Sequence, residues 1–206
     1  MQAAGILVLS FAAGSIPFSY LTARKTRGVD LRRVGTGTVS GTSLYRVAGF
    51  GPLAAAGILE VAKGAVGPAL AAAAGHPALA AVAGGAAVAG HNWSPFLRGA
   101  GGRGISPALG ALLVVAWPGA VLLLAGMILG KLFGETALGA LVAEVALTPV
   151  LAVIYGAVGA LAGASIAMPM LVKRVVGNAS PAPPRGHTYL TRLLYDRDER
   201  VTTDAS

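Results

Sequence analysis

Residues 27–46, RGVDLRRVGTGTVSGTSLYR, bring glycines, hydroxyls and arginines together in one short stretch. Gly35 and Gly37 carry no Cβ, so successive backbone N–H groups there can turn toward a single anion. Thr36, Thr38, Ser40, Thr42 and Ser43 add hydroxyl donors, and Arg32, Arg33 and Arg46 add positive charge. The guest that suits such a loop is a phosphate-bearing ligand. The alternative is a flexible basic loop drawn to anionic lipid, and this stretch alone leaves both open.

The same chemistry recurs in AGHNWSPFLRGAGGRGIS, residues 89–106. Gly101, Gly102 and Gly104 surround Arg103 just before an apolar helix, where backbone amides and a guanidinium can converge on one phosphate. His91 stands at the end of the preceding apolar run, placed to bond a substrate or a neighbouring backbone group; a lone histidine is more often structural. In ILEVAKG, Glu60 and Lys63 are three residues apart and share a helix face, so they can pair. Charges inside a membrane helix are costly and face the protein interior or a water-filled cavity. Glu144 is a second such acid.

The elements that must position these residues are apolar helices. Of 206 residues, 55% are hydrophobic and 12% charged, with mean hydropathy +0.71; a soluble domain carries roughly 25% charged residues. The expected fold class is all-α, a polytopic membrane protein with about seven spans: 2–23, 50–74, 77–97, two from 105–130 divided at WPG, and two from 137–172. The last pair divides at TPV or at Tyr155-Gly156. Each long run suits a bilayer core of roughly 30 Å. Residues 24–47 read as a loop, 1–172 as the transmembrane unit and 173–206 as a basic, Pro-rich tail ending in a short amphipathic helix. Abundant glycine and alanine suit close helix packing in lipid.

The net charge of +8 falls in clusters that this count places on one side, the cytoplasmic one by the positive-inside rule. Aromatics make up only 6%, which argues against a nucleic-acid partner. Cysteine is absent, so disulfides and thiolate sites are excluded. His76, His91 and His187 are far apart in sequence, and no metal-ligand spacing is present.

In order and wording these motifs resemble the bacterial acyl-phosphate:glycerol-3-phosphate acyltransferases. GSIPFSYLTAR (14–24) is similar to the family's Gly-Ser-Ile-Pro-Phe-Gly-Tyr signature. GVDLRRVGTGTVSGTSLYRVAG (28–49) resembles its Gly-Ser-Gly-Asn, Gly-Ala-Thr-Asn and Arg pattern, and AGHNWSPFLRGAGGRGISPALG (89–110) its Gly-His and Gly-Gly-Lys-Gly pattern. LEVAKG resembles its Leu-Asp-x-x-Lys-Gly. The departures are Thr36 for the motif serine, Thr38 and Ser43 for two asparagines, and Arg103 for the motif lysine. The serine-rich motif expected before span six is poorly preserved in LFGETALGAL. The C-terminal element is represented by HTYLTRLL, with His187 and Arg192 but no asparagine.

The resemblance implies acyl transfer from acyl phosphate to the primary hydroxyl of glycerol-3-phosphate at the bacterial inner membrane, by a monomer without cofactor or metal. It implies Thr36, Arg46, His91 and Arg103 as catalytic residues. Substrate contacts would come from Ser15, Arg32, Gly35, Gly37, Thr38, Thr42, Ser43, Gly101, Gly102, Gly104, His187 and Arg192. The acyltransferase class built on His and an Asp five residues later is excluded, since Ala81, Phe96 and Arg192 occupy that spacing. Two other readings stay open: a catalytically altered relative that binds a phospholipid precursor or partner, and a small transporter using Glu60, Lys63 and Glu144.

Overall fold

A computed structural model of the chain describes residues 3–35, 37–178 and 185–196. The described residues fold into nine α-helices and two short 3-10 turns, with no strand among them. In order the helices are α1 (Ala3–Ser15), α2 (Phe18–Arg27), α3 (Gly41–Ala48), α4 (Phe50–Ala73) and α5 (Pro77–Asn92). They continue with α6 (Ile105–Val115), α7 (Trp117–Leu132), α8 (Thr136–Val176) and α9 (Arg185–Tyr195). Three stretches, Ala3–Arg27, Phe50–Ala73 and Thr136–Val176, are long and apolar enough to cross a membrane; α6 and α7 are shorter apolar helices.

The helix expected over 2–23 is interrupted. Proline has no N–H to continue a helical ladder, and the chain departs from helical geometry at Pro17 (φ −92°, ψ 71°) before resuming as α2. The loop expected over 24–47 is partly helical. Ser40 caps α3 by accepting from the Ser43 backbone N–H, which satisfies one of the orphan donors at the helix start. The break at WPG is present, with Ala116 between α6 and α7.

Of the two divisions considered within 137–172, the structure takes Tyr155-Gly156. Gly156 adopts φ 62°, a left-handed value that favours glycine, and the chain folds back there. Gly163 consequently lies against Thr148, and Gly159 against Leu151. Pro149 lies inside the first arm and does not divide it.

Small residues set the helix spacing. A Cβ on Gly64 would fall on the Pro107 backbone, and one on Gly110 would fall on the Val61 carbonyl, so α4 and α6 touch backbone to backbone. Gly126 and Gly139 bring α7 against α8 in the same way. Leu112, Leu123, Leu147, Leu151 and Ile166 fill the space between α6, α7 and α8. Water does not drive helices together in lipid, so this close fit carries much of the stability.

Gly110→Ala and Gly64→Ala should each destabilise the fold by about 1–3 kcal/mol through overpacking. Gly57→Ala, whose Cβ would meet nothing within 4 Å, should be neutral or slightly stabilising. Thermal unfolding in detergent distinguishes the two groups; equal midpoints for all three variants would contradict backbone-to-backbone packing.

Candidate functional site

The two glycine loops and the end of α8 meet at one end of the helices. The Val39 N–H donates to Gly101 O (3.1 Å), joining the two glycine loops. Asn178, just past α8, locks them together: Gly101 N–H donates to its Oδ1 (3.2 Å), while its Nδ2 donates to Gly37 O (3.1 Å) and Gly101 O (2.9 Å). Arg174 donates to Ala137 O (3.0 Å) and Leu193 O (3.5 Å) and pairs with Glu144 (2.9 Å). It thereby ties the first turn of α8 and helix α9 to the end of α8.

In the first loop, Gly35 (φ 55°) and Gly37 (φ 72°) take left-handed conformations that turn the chain. Thr36, between them, lies outside the described residues. The Ser43 hydroxyl donates to Thr38 O (2.9 Å), and Thr38 is buried. Thr42 and Arg46 are exposed on α3, and the Arg46 guanidinium is the nearest group to a Cβ built on Gly35, at 3.9 Å. Arg32 turns away from this cluster: Nε and Nη2 bind Asp30 Oδ1 and Oδ2 at 3.0 and 2.7 Å, and its guanidinium lies 5.4 Å from the Tyr20 ring centroid. These hydrogen bonds hold the Asp30 carboxyl down at about 2.

In the second loop, glycine permits close approach. A Cβ on Gly101 would fall on the last carbonyls of α5, and one on Gly102 would fall on His91 Nε2 and lie 2.7 Å from Val39 O. The amides of Gly101 and Gly102 are engaged inside the fold, donating to Asn178 Oδ1 and His91 O. Gly104 (φ 82°) starts α6 against Val88 and Asn92. Arg103 is buried; its Nη1 donates to Lys173 O (2.6 Å) and its Nε pairs with Asp196 Oδ1 (2.6 Å).

The remaining sequence candidates are more dispersed. Ser15 is buried and its hydroxyl donates to Phe11 O (2.7 Å), while its carbonyl accepts from Ser94 Oγ (2.6 Å). His187 is exposed on α9. Arg192 is buried, and its Nη1 donates to Val176 O (2.7 Å) at the end of α8. That contact suits a cation at a helix C-terminus.

Two residues went unnoticed in the sequence. Asn178 lies nine residues before HTYLTRLL, and in GNASPAPP it reads as the start of a Pro-rich linker, not as part of a glycine loop. Lys173 reads as the first residue of a basic tail. In the structure it is fully buried, its Nζ donates to Gly99 O (3.3 Å), and its ammonium lies 5.4 Å from the Trp93 ring centroid.

Asn178→Ala should loosen both loops together by removing three hydrogen bonds, each worth about 0.5–1.5 kcal/mol. Faster amide exchange at both Gly101 and Val39 is the expected result, and unchanged exchange at Val39 would contradict the bridge. Asp30, whose carboxyl is held below its ordinary value, supports the first loop above about pH 4 and loses that support as pH falls toward about 2. An acid titration of the loop should show this step in the wild type and lack it in Asp30→Asn.

A family model described as Glycerol-3-phosphate acyltransferase matches residues 4–179. Glycerol-3-phosphate acyltransferase 4 of Dehalococcoides mccartyi (strain CBDB1) is 32% identical over 201 residues, covering 92% of this chain and 87% of the relative. Glycerol-3-phosphate acyltransferase 5 of Dehalococcoides mccartyi is 38% identical over 141 residues, or 68% of this chain. Glycerol-3-phosphate acyltransferase of Synechococcus sp. (strain CC9902) is 35% identical over 114 residues, or 55% of this chain. The chain spans 60% and 57% of the lengths of these last two relatives. The fold is similar to a crystal structure of PlsY (YgiH), an integral membrane glycerol 3-phosphate acyltransferase, in its glycerol 3-phosphate form. The TM-score is 0.78 at 24% identity, over 97% of this chain and 96% of that one. On the family model and these relatives, the chain belongs to the glycerol-3-phosphate acyltransferase family.

Proposed function

We propose that this chain transfers a fatty acyl group from acyl phosphate to the primary hydroxyl of glycerol-3-phosphate, giving lysophosphatidic acid and inorganic phosphate. The observation that carries the reading is the union of two glycine loops by Asn178 at the end of the molecule where Arg46, Arg103 and Lys173 gather. Both substrates are phosphates, and a cationic, glycine-rich enclosure is what they require. The relatives and the fold neighbour are named as glycerol-3-phosphate acyltransferases, which supports the acceptor in this reading.

In this reading the substrate hydroxyl attacks the acyl carbonyl carbon, the carbon–oxygen bond to phosphate breaks, and the departing phosphate takes the hydroxyl proton. Acyl phosphate is already activated, so the task of the protein is positioning and charge stabilisation. Arg46 and Thr36 serve the first loop; His91 and Arg103 serve the second. Arg32, Gly35, Gly37, Thr38, Thr42, Ser43, Gly101, Gly102 and Gly104 shape the two loops. Ser15, His187 and Arg192 support the site from α1 and α9. The chain works as a monomer with seven crossings of the bacterial inner membrane, and its loop end faces the cytoplasm. The transport reading loses its main support, because Glu60 pairs with Lys63 and Glu144 with Arg174 inside packed helices.

Purified protein in detergent, given palmitoyl phosphate and labelled glycerol-3-phosphate, should form lysophosphatidate and release phosphate in equal amounts. Arg46→Ala and Arg103→Ala should each lower kcat/KM by about 100-fold, the scale of one lost charge-stabilising donor. Absence of turnover with acyl phosphate, coenzyme A and carrier-protein donors would instead favour the altered relative.

A further inference from the structure

Beneath the second glycine loop lies a closed polar cluster made by Glu60, Lys63 and His91. Glu60 Oε1 accepts the Ser19 N–H (2.9 Å) at the start of α2. Lys63 Nζ lies 2.5 Å from Ile16 O, 2.6 Å from Glu60 Oε2 and 3.1 Å from His91 Nδ1. Glu60 Oε2 also lies 3.1 Å from His91 Nδ1. Glu60 and Lys63 are almost fully buried, and the opposite ring nitrogen, Nε2, faces Gly102.

The position of one proton decides what this histidine can do. A proton on Nδ1 would point at Glu60 but would also stand 3.1 Å from an ammonium, which has donors and no acceptor. With a lone pair on Nδ1, the three ammonium protons meet three acceptors: Ile16 O, Glu60 Oε2 and His91 Nδ1. The two Glu60 oxygens are then satisfied by Ser19 and Lys63. In this arrangement every ammonium proton has an acceptor, and the ammonium bridges the Nδ1 lone pair and Glu60 Oε2, which lie 3.1 Å apart. With the proton on Nδ1, one ammonium proton would face a ring N–H instead of an acceptor.

We infer that Lys63 is a positioning residue: by donating to His91 Nδ1 it keeps the ring proton on Nε2, so that His91 presents a neutral N–H donor, not a base, at the Gly101–Gly102 loop. The inference rests on the acyl-transfer reading for its substrate, where the donor would serve an oxygen of a bound phosphate or of the carbonyl gaining negative charge. It agrees with a reaction in which the departing phosphate, and no side chain, takes the hydroxyl proton.

The test is nitrogen-15 NMR of the protein labelled at its histidine rings in detergent micelles, with His91 assigned by its loss in His91→Gln. The wild type should show a one-bond proton coupling at Nε2 and a lone-pair shift at Nδ1; a proton found on Nδ1 overturns the inference. In Lys63→Met the proton should move to Nδ1, toward Glu60, and a ring unchanged by that substitution also overturns it. With palmitoyl phosphate and glycerol-3-phosphate, Lys63→Met should lower kcat about tenfold in the wild-type background and by nothing further on His91→Gln. Equal losses on both backgrounds overturn the positioning role. Should Lys63→Met fail to fold, the wild-type spectrum still decides. A wild type without acyl transfer would defeat the functional reading alone, since the ring proton is read independently of turnover.

Discussion

A helix interrupted inside an apolar layer leaves backbone groups with no water to satisfy them, and each such group costs several kcal/mol. The break between α1 and α2 poses that problem, and one ion pair on α4 answers it. Lys63 takes the Ile16 carbonyl on one side of Pro17, and Glu60 takes the Ser19 N–H on the other. Because the two side chains also neutralise each other at 2.6 Å, neither is an isolated buried charge. The same pair reaches His91 at the end of α5, so three helices and the second glycine loop share one anchor.

Around that anchor the protein uses the absence of side chains as a building material. Gly64 and Gly110 bring α4 and α6 into backbone contact, and Gly101 and Gly102 lay the loop directly over the end of α5. Glycines that look like a phosphate cradle therefore have a prior duty in packing. Two of the loop's amides are spent on Asn178 and on His91 O. The positive charge near the loop comes from Lys173 and Arg103, which are held in place by the end of α8.

The end of α8 and the helix beyond it complete the arrangement. Asn178 bonds both glycine loops, Arg192 caps α8, and Asp196 pairs with Arg103. A segment that reads as a tail thus closes the site end of the molecule. Glu144 and Arg174, a buried pair joining the two arms of α8, keep that closing segment in register with the hairpin beneath it.

The sequence by itself determined the class of this protein, because composition and run length suffice to demand apolar helices. Its two glycine-rich segments were legible as interruptions between apolar runs, because closely spaced glycine, hydroxyl and arginine residues break an apolar helical pattern. The pairing of Glu60 with Lys63 followed from helix geometry alone. Tertiary structure decided what local pattern cannot express. The interruption at Pro17 persists because a distant helix satisfies its backbone, and the fold-back within Thr136–Val176 occurs at Gly156, where the backbone leaves helical geometry for a left-handed φ, and not at Pro149. Asn178 and Lys173 gain their places through contacts more than seventy residues away in sequence. Arg103, predicted from its glycine neighbours, receives its carboxylate partner from the far end of the chain. Spacing along the chain reports which groups share a face; only packing brings separate faces together.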